Sequence, residues 1–176
     1  MGEQVKILDS TDINRILTRI SYNIIEVHKG AENIAFIGIH TRGIYLAKRL
    51  QEKINKIEGI DINTGSIDIN LYRDDWTRIG CHPVVKTSNI PFSIEEKQII
   101  LVDDVLFTGR TIRSALGAIV DFGRPDRIEL AVLVDRGFRE MPIQADYVGK
   151  FVKTKRCERV NVLLKECDGT DGVFVE

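Results

Sequence analysis

The sequence predicts an α/β protein on a mainly parallel sheet flanked by helices, and three observations carry that prediction. Short apolar runs of strand length stand at Ile34–Gly38, Gln98–Val102 and Ile128–Val134. Stretches with apolar residues at helical spacing lie between and around them. The runs do not alternate, as expected of strands covered on both faces. Strands alternating with helices call for crossover connections, which place ligands beyond the C-terminal strand ends.

In chain order, Ser10-Thr11-Asp12 offers helix N-caps. Ile13, Ile16, Leu17, Ile20, Ile24 and Val27 then form an apolar stripe, with Arg15, Thr18, Arg19, Tyr22 and Glu26 opposite. Gly30 is the expected stop. After the first strand, His40-Thr41-Arg42-Gly43 is a tight turn into a helix over Ile44–Ile57. Ile67, Ile69 and Leu71 alternate with Asp68 and Asn70, which predicts a strand with one polar face. Arg73–Pro91 is a long polar loop, a length usual for lids and binding loops. The second strand runs through Asp103–Arg110 into a helix carrying Ile112, Ala115, Leu116, Ile119 and Phe122. Val160–Leu164 is a further candidate strand, and the tail from Cys167 carries no assignment. Three loops therefore sit where a ligand belongs: His40–Gly43, Asp103–Thr111 and Asp135–Arg139.

Composition sets limits. The chain has 176 residues, 43% hydrophobic and 29% charged, which suits one domain over residues 1–176. A net charge of −1 excludes binding of nucleic acid or membrane through overall charge, so a polyanion would need a local basic patch. Cys81, Cys157 and Cys167 match no metal or disulfide spacing and are expected as reduced thiols in a cytoplasmic protein. No signal peptide or membrane-length apolar run is visible, and no membrane partner is expected.

The chemistry concentrates in Ile99–Thr111, where four apolar residues end in Asp103 and Asp104 and a Thr108-Gly109-Arg110-Thr111 turn opens a helix. Free N–H groups at a helix N-terminus suit a phosphate. Gly109 permits close backbone approach, and the Thr108 and Thr111 hydroxyls add donors. Two carboxylates about one sugar length away suit a ribose diol. A buried strand with an acid-rich turn would account for part of the pattern, but not for its full order. A Walker loop and a dinucleotide glycine fingerprint are both excluded.

This stretch resembles the signature of the type I phosphoribosyltransferases. The resemblance implies that family's single-domain fold with a flexible active-site loop. It implies a site for phosphoribosyl diphosphate and its nucleotide product at Thr41, Arg42, Gly43, Asp103, Asp104, Val105, Leu106, Phe107, Thr108, Gly109, Arg110, Thr111, Arg136 and Val160. Asp103, Asp104, Arg42 and Arg73 would carry catalysis. Mg²⁺ would be held mainly through phosphoribosyl diphosphate, with no protein metal cage. A non-proline cis peptide is expected within His40–Arg42. Purine-using relatives carry an acid just before the Thr-Gly of the signature. Phe107 stands there and cannot exchange a proton with a purine nitrogen. Arg136 is placed to donate to a pyrimidine carbonyl.

A closer resemblance rests on Thr18-Arg19, Thr41–Arg49, Leu71–Asp75, the signature, Val134–Gly137 and Ala145–Lys150, in that order. Together they are similar to the bacterial pyrimidine operon regulators of the PyrR family. That family implies uracil phosphoribosyltransferase activity and UMP- or UTP-dependent binding to the pyrimidine operon mRNA leader, causing transcription attenuation. It also implies a homodimer or higher homo-oligomer. RNA would meet Thr18, Arg19, Tyr22, Arg139, Lys150 and Thr154, with Lys153, Lys155, Arg156 and Arg159 nearby. Tyr22, Val27, Phe138 and Gln144 depart from the family's His or Arg. Two alternatives stay open: a uracil enzyme with weak or lost RNA regulation, and a purine salvage enzyme.

Overall fold

The computed structural model describes residues 4–72 and 88–176. Five strands form one sheet in the order β3-β2-β4-β5-β6. They are β2 (Ile34–Ile39), β3 (Asn63–Ile67), β4 (Gln98–Leu106), β5 (Arg127–Asp135) and β6 (Tyr147–Phe151), and every neighbouring pair is parallel. Helices α1 (Ser10–His28), α2 (Arg42–Glu58) and α3 (Arg110–Val120) flank it. One core cluster joins α1 and α2 to one face of the sheet, around Ile13, Ile20, Phe36, Leu46 and Ile100. The other joins α3 to the opposite face, around Ile37, Ile99, Leu101, Ile112 and Ile119. The predicted parallel sheet with covered faces is what forms.

A second, antiparallel sheet has the order β1-β8-β7, from β1 (Val5–Leu8), β7 (Val160–Leu163) and β8 (Gly172–Val175). A short helix α4 (Lys165–Asp168) connects β7 to β8. The unassigned tail is therefore ordered. Its strands are four residues long and are assembled from both chain ends, so no local pattern announces them.

Several boundaries differ from expectation for physical reasons. Asp9, not Ser10, caps α1: its carboxylate accepts the Asp12 N–H at 2.8 Å, and Asp12 accepts the Asp9 N–H at 3.2 Å. Lys29 ends the helix in the left-handed region, at φ 55°, one residue before the expected stop. Val27 is 53% exposed, because His28 takes the next inward position after Ile24. The strand expected at Ile67–Leu71 instead covers Asn63–Ile67, followed by a 3₁₀ turn at Asn70–Tyr72. Ile67 and Ile69 are buried as their alternation requires, but the strand preceding them is polar because it lies at the sheet edge.

Two glycines decide how closely α2 lies on the sheet. A Cβ on Gly38 would sit 2.4 Å from the Ile44 Cα, and one on Gly43 would sit 2.3 Å from the Val102 carbonyl oxygen. Without side chains at these points the first turn of α2 rests on β2 and β4, bringing residues 40–42 against the end of β4.

Candidate phosphoribosyl site

The C-terminal strand ends enclose a cavity of about 330 Å³. His40, Thr41 and Arg42 enter it from the end of β2, and Asp68, Ile69 and Asn70 from the end of β3. Asp103, Asp104, Val105 and Thr111 complete it from the β4–α3 connection. The β3 contribution escaped the sequence because that segment was expected to be strand. The polar Asp68 and Asn70 at a strand end were its available signal.

Asp103 is 7% exposed, and Asp104 is partly buried beside it. Each carboxylate accepts a neighbouring N–H: Asp104 N–H donates to Asp103 at 2.9 Å, and Val105 N–H donates to Asp104 at 2.8 Å. Burial pushes both carboxyl groups above the usual carboxylate range, and the Asp104 charge pushes Asp103 further. Arg42 and the Val105 N–H partly oppose this at Asp104. Two desolvated adjacent carboxylates suit a ribose diol and a hard divalent cation. Among the described residues no three His, Cys, Asp or Glu side chains are grouped to hold a metal.

Gly109, φ 90°, precedes α3 with no capping side chain of its own, and the Arg110 N–H donates to the Thr108 hydroxyl at a long 3.4 Å. The first-turn N–H groups of α3 thus remain suited to an anion. Gly109 also answers a packing demand, since a Cβ there would lie 3.1 Å from that of Met141. Thr108 accepts the Glu140 and Met141 N–H groups through its carbonyl, at 2.9 and 3.0 Å. Leu106 is 1% exposed and belongs to the core, contributing its carbonyl to the Arg136 N–H at 3.1 Å. Arg110 is bound to Glu140 at 3.0 Å, and Glu140 in turn to Arg156 at 2.6 Å.

The His40–Thr41 peptide is cis, within the expected loop. Arg42 does not stand alone above the cavity. Its Nε and Nη2 donate to Asp168 of α4 at 3.1 and 2.9 Å. This contact holds the Asp168 carboxyl down at about 2. Sequence reasoning missed Asp168 because it lies 126 positions away. Arg73, expected to close over diphosphate, and Cys81 lie outside the described residues.

Beyond the signature, the Arg136 guanidinium lies 4.1 Å from the Phe107 ring centroid. Phe107 meets Phe138 edge to face at 6.3 Å. Arg136 is 7% exposed and donates from Nη2 to the Lys155 carbonyl at 3.1 Å. Its Nε is buried with no partner among the described residues. Val160 starts β7, where it packs against the first core cluster and is absent from the cavity lining.

The residues expected to face RNA are distributed unevenly. Tyr22 is 57% exposed, and Lys150, Lys153, Lys155 and Arg159 are exposed. Thr18 donates its hydroxyl to the Asn14 carbonyl and accepts from Lys53, both at 2.9 Å. Arg19 donates to the Val148 and Gly149 carbonyls of the edge strand β6, at 3.1 and 2.6 Å. The Thr154 hydroxyl oxygen is buried with no partner among the described residues. Arg139 turns inward to four protein acceptors rather than outward.

The phosphoribosyl transferase domain family matches residues 3–161. Three curated relatives named bifunctional protein PyrR align over nearly all of the chain. The one from Desulfosudis oleivorans is 58% identical over 99% of this chain and 97% of its own length. Those of Deinococcus radiodurans and Clostridioides difficile are 55% and 53% identical, over 94% and 100% of this chain and 90% and 99% of their own. The chain belongs to the PyrR family of phosphoribosyl transferase domain proteins. Solved hypoxanthine phosphoribosyltransferases share this chain's fold at low identity. That of Trypanosoma cruzi gives a TM-score of 0.74 at 16% identity, over 97% of this chain and 90% of its own. That of Staphylococcus aureus gives 0.71 at 20%, over 96% and 90%. Among the described residues no helix is long and apolar enough to cross a membrane.

Proposed function

We propose that one pocket serves two activities. It converts uracil and phosphoribosyl diphosphate to UMP and diphosphate. With UMP or UTP bound, it also favours a state that binds the pyrimidine operon mRNA leader and causes transcription attenuation. The observation that carries this is the buried Asp103–Asp104 pair beside the start of α3, with Phe107 where a purine enzyme keeps an acid.

In this mechanism the α3 N-terminus with Thr108 and Thr111 binds the 5′-phosphate. Asp103 and Asp104 hold the ribose hydroxyls as charge develops on the ring. Residues 40–43 receive the departing diphosphate, with Arg42 kept near by Asp168. The C1–diphosphate bond breaks, a uracil nitrogen bonds to C1, and that nitrogen loses its proton. Asp103 and Asp104 fit the preference of Mg²⁺ for hard oxygen ligands and would help to hold it with the substrate, where it would supply neutralising charge to the diphosphate. The Phe107 ring and Arg136, whose Nε lacks a partner among the described residues, line the base side.

We place the chain as one domain over residues 1–176, in the cytoplasm. Support for one domain comes from Val162 and Val173 of the small sheet, which share a core cluster with the main sheet. Exposed free thiols at Cys157 and Cys167 favour a reducing compartment. Phe151 at 73% exposure and Val120 at 63% favour a homodimer or larger assembly, which sedimentation would measure.

UMP formation from uracil, with hypoxanthine as control, tests the enzyme. Turnover of hypoxanthine but not uracil would reject the base assignment. Gel-shift titration of the leader RNA with and without UMP tests the regulator, and affinity should fall steeply with salt. A uracil enzyme with weakened regulation is the second reading. The inward engagement of Arg19 and Arg139 favours it. RNA affinity indifferent to UMP would select it.

A further inference from the structure

The β5–β6 connection is an awkward turn. Gly137 and Phe138 both adopt left-handed backbone, at φ 76° and 58°. Glycine tolerates this, whereas phenylalanine is strained by it. A turn of this kind persists only where its surroundings hold it. Here the holder is Arg139. Its Nε donates to the Ile143 carbonyl at 3.0 Å. Its Nη1 donates to the carbonyls of Phe107 at 2.9 Å and Gly137 at 3.2 Å. Its Nη2 binds the Asp135 carboxylate, whose other oxygen accepts the Gly137 N–H at 2.9 Å.

One guanidinium thus ties both ends of the turn to the signature residue that faces the base. Phe107 and Phe138 meet edge to face, and Arg136 lies over the Phe107 ring, so these three side chains move with the backbone that Arg139 fixes. We propose that Arg139 is a positioning residue for the base site: it joins the 135–143 turn to Phe107 and thereby sets the wall against which the pyrimidine lies. This rests on the uracil reading above.

A lysine cannot replace the fork. It keeps a charge for Asp135 but offers one donor group rather than several fixed directions. Arg139→Lys and Arg139→Ala should therefore behave alike. Both should raise the KM for uracil, and the Kd for UMP by calorimetry, by roughly 10- to 100-fold, the cost of a small misplacement at a reacting group. The KM for phosphoribosyl diphosphate should stay unchanged. Asp135→Asn, which keeps the side-chain shape, should move uracil and not phosphoribosyl diphosphate in the same direction, and it serves if the Arg139 variants fail to fold. RNA affinity at saturating UMP should be unchanged.

Three results would overturn the proposal. Uracil KM unaltered while RNA affinity falls would make Arg139 an RNA contact. Both KM values rising together with an earlier melting transition would make it a general structural tie. A wild-type protein that neither turns over uracil nor binds UMP would remove the base reading as well, whereas an active wild type with unaltered variants removes this inference alone.

Discussion

Asp103 on β4 and Glu129 on β5 are equally buried, each 7% exposed, on neighbouring strands, yet their carboxyl groups shift in opposite directions. Asp103, near the C-terminal end of its strand, is pushed up by burial and by Asp104. Burial pushes Glu129 up too. There it is outweighed by hydrogen bonds from Tyr147 at 2.8 Å, Arg127 at 3.0 Å and His28 at 2.7 Å, so Glu129 sits below the ordinary range. His28 also meets Gln98. The N-terminal end of the sheet therefore holds a charge that its neighbours satisfy. The C-terminal end holds an acid pair that accepts one backbone N–H each and that burial keeps above the ordinary carboxylate range. A buried acid held by several donors stabilises, and one pushed up in a cleft is suited to chemistry.

The largest test of this contrast is Asp103→Asn. UMP formation should fall by about 100- to 1000-fold, in the range for losing a group that meets developing charge. The melting temperature should hold or rise. A carboxyl raised in the folded state contributes less stability as pH climbs, so the gain from asparagine should grow as pH rises from the unfolded carboxylate value, about 3.9, through the raised folded value. A large loss of stability with activity intact would dissolve the distinction between the two ends.

Glu129→Ala should give the mirror result. It leaves the Tyr147 hydroxyl and His28 without their shared acceptor. Urea unfolding should show a loss of about 1–3 kcal/mol, with kcat/KM for uracil unchanged.

A smaller effect sharpens the electrostatics. Because Glu129 is lowered in the folded state, its stabilisation is complete above the unfolded carboxylate value, about 4.3, and fades as pH falls through the lower folded value. The melting difference between wild type and Glu129→Gln should narrow below about pH 4. A gap that widens on acidification would mean that Glu129 is not held as a charge.

The smallest expected effect is that of Asp168→Ala. The Arg42–Asp168 pair is only partly buried, at 33% and 21% side-chain exposure, and ion pairs within reach of solvent contribute little. Losing the Asp168 grip on Arg42 should raise the KM for phosphoribosyl diphosphate by about two- to fivefold, the scale of one such pair. The KM for uracil should not follow.

Much of the functional end was legible from the chain alone. The signature is contiguous: strand, acid pair, turn and helix start occupy Ile99–Thr111, so their order survives folding. His40–Gly43 was legible for the same reason, as a turn between a buried run and an amphipathic helix. The inward bonds of Arg139 were not legible, because a guanidinium near a basic stretch looks solvent-facing until its four acceptors are in view. β3 was shifted because the apolar alternation at 67–71 marks burial, and a turn buries side chains as readily as a strand does.

By itself the sequence determined the alternating strands and helices of the α/β sheet, the acid pair with its threonine turn, and the absence of a proton-exchanging group at position 107, because each element is written in one contiguous stretch. Tertiary structure alone decided which acids are satisfied, where Arg42, Arg19 and Arg139 point, and that both chain ends build one small sheet. Those outcomes hang on partners up to 170 positions apart, as where Val5 pairs with Val175. A hydrogen bond's geometry and a carboxylate's hydration exist only once distant segments meet.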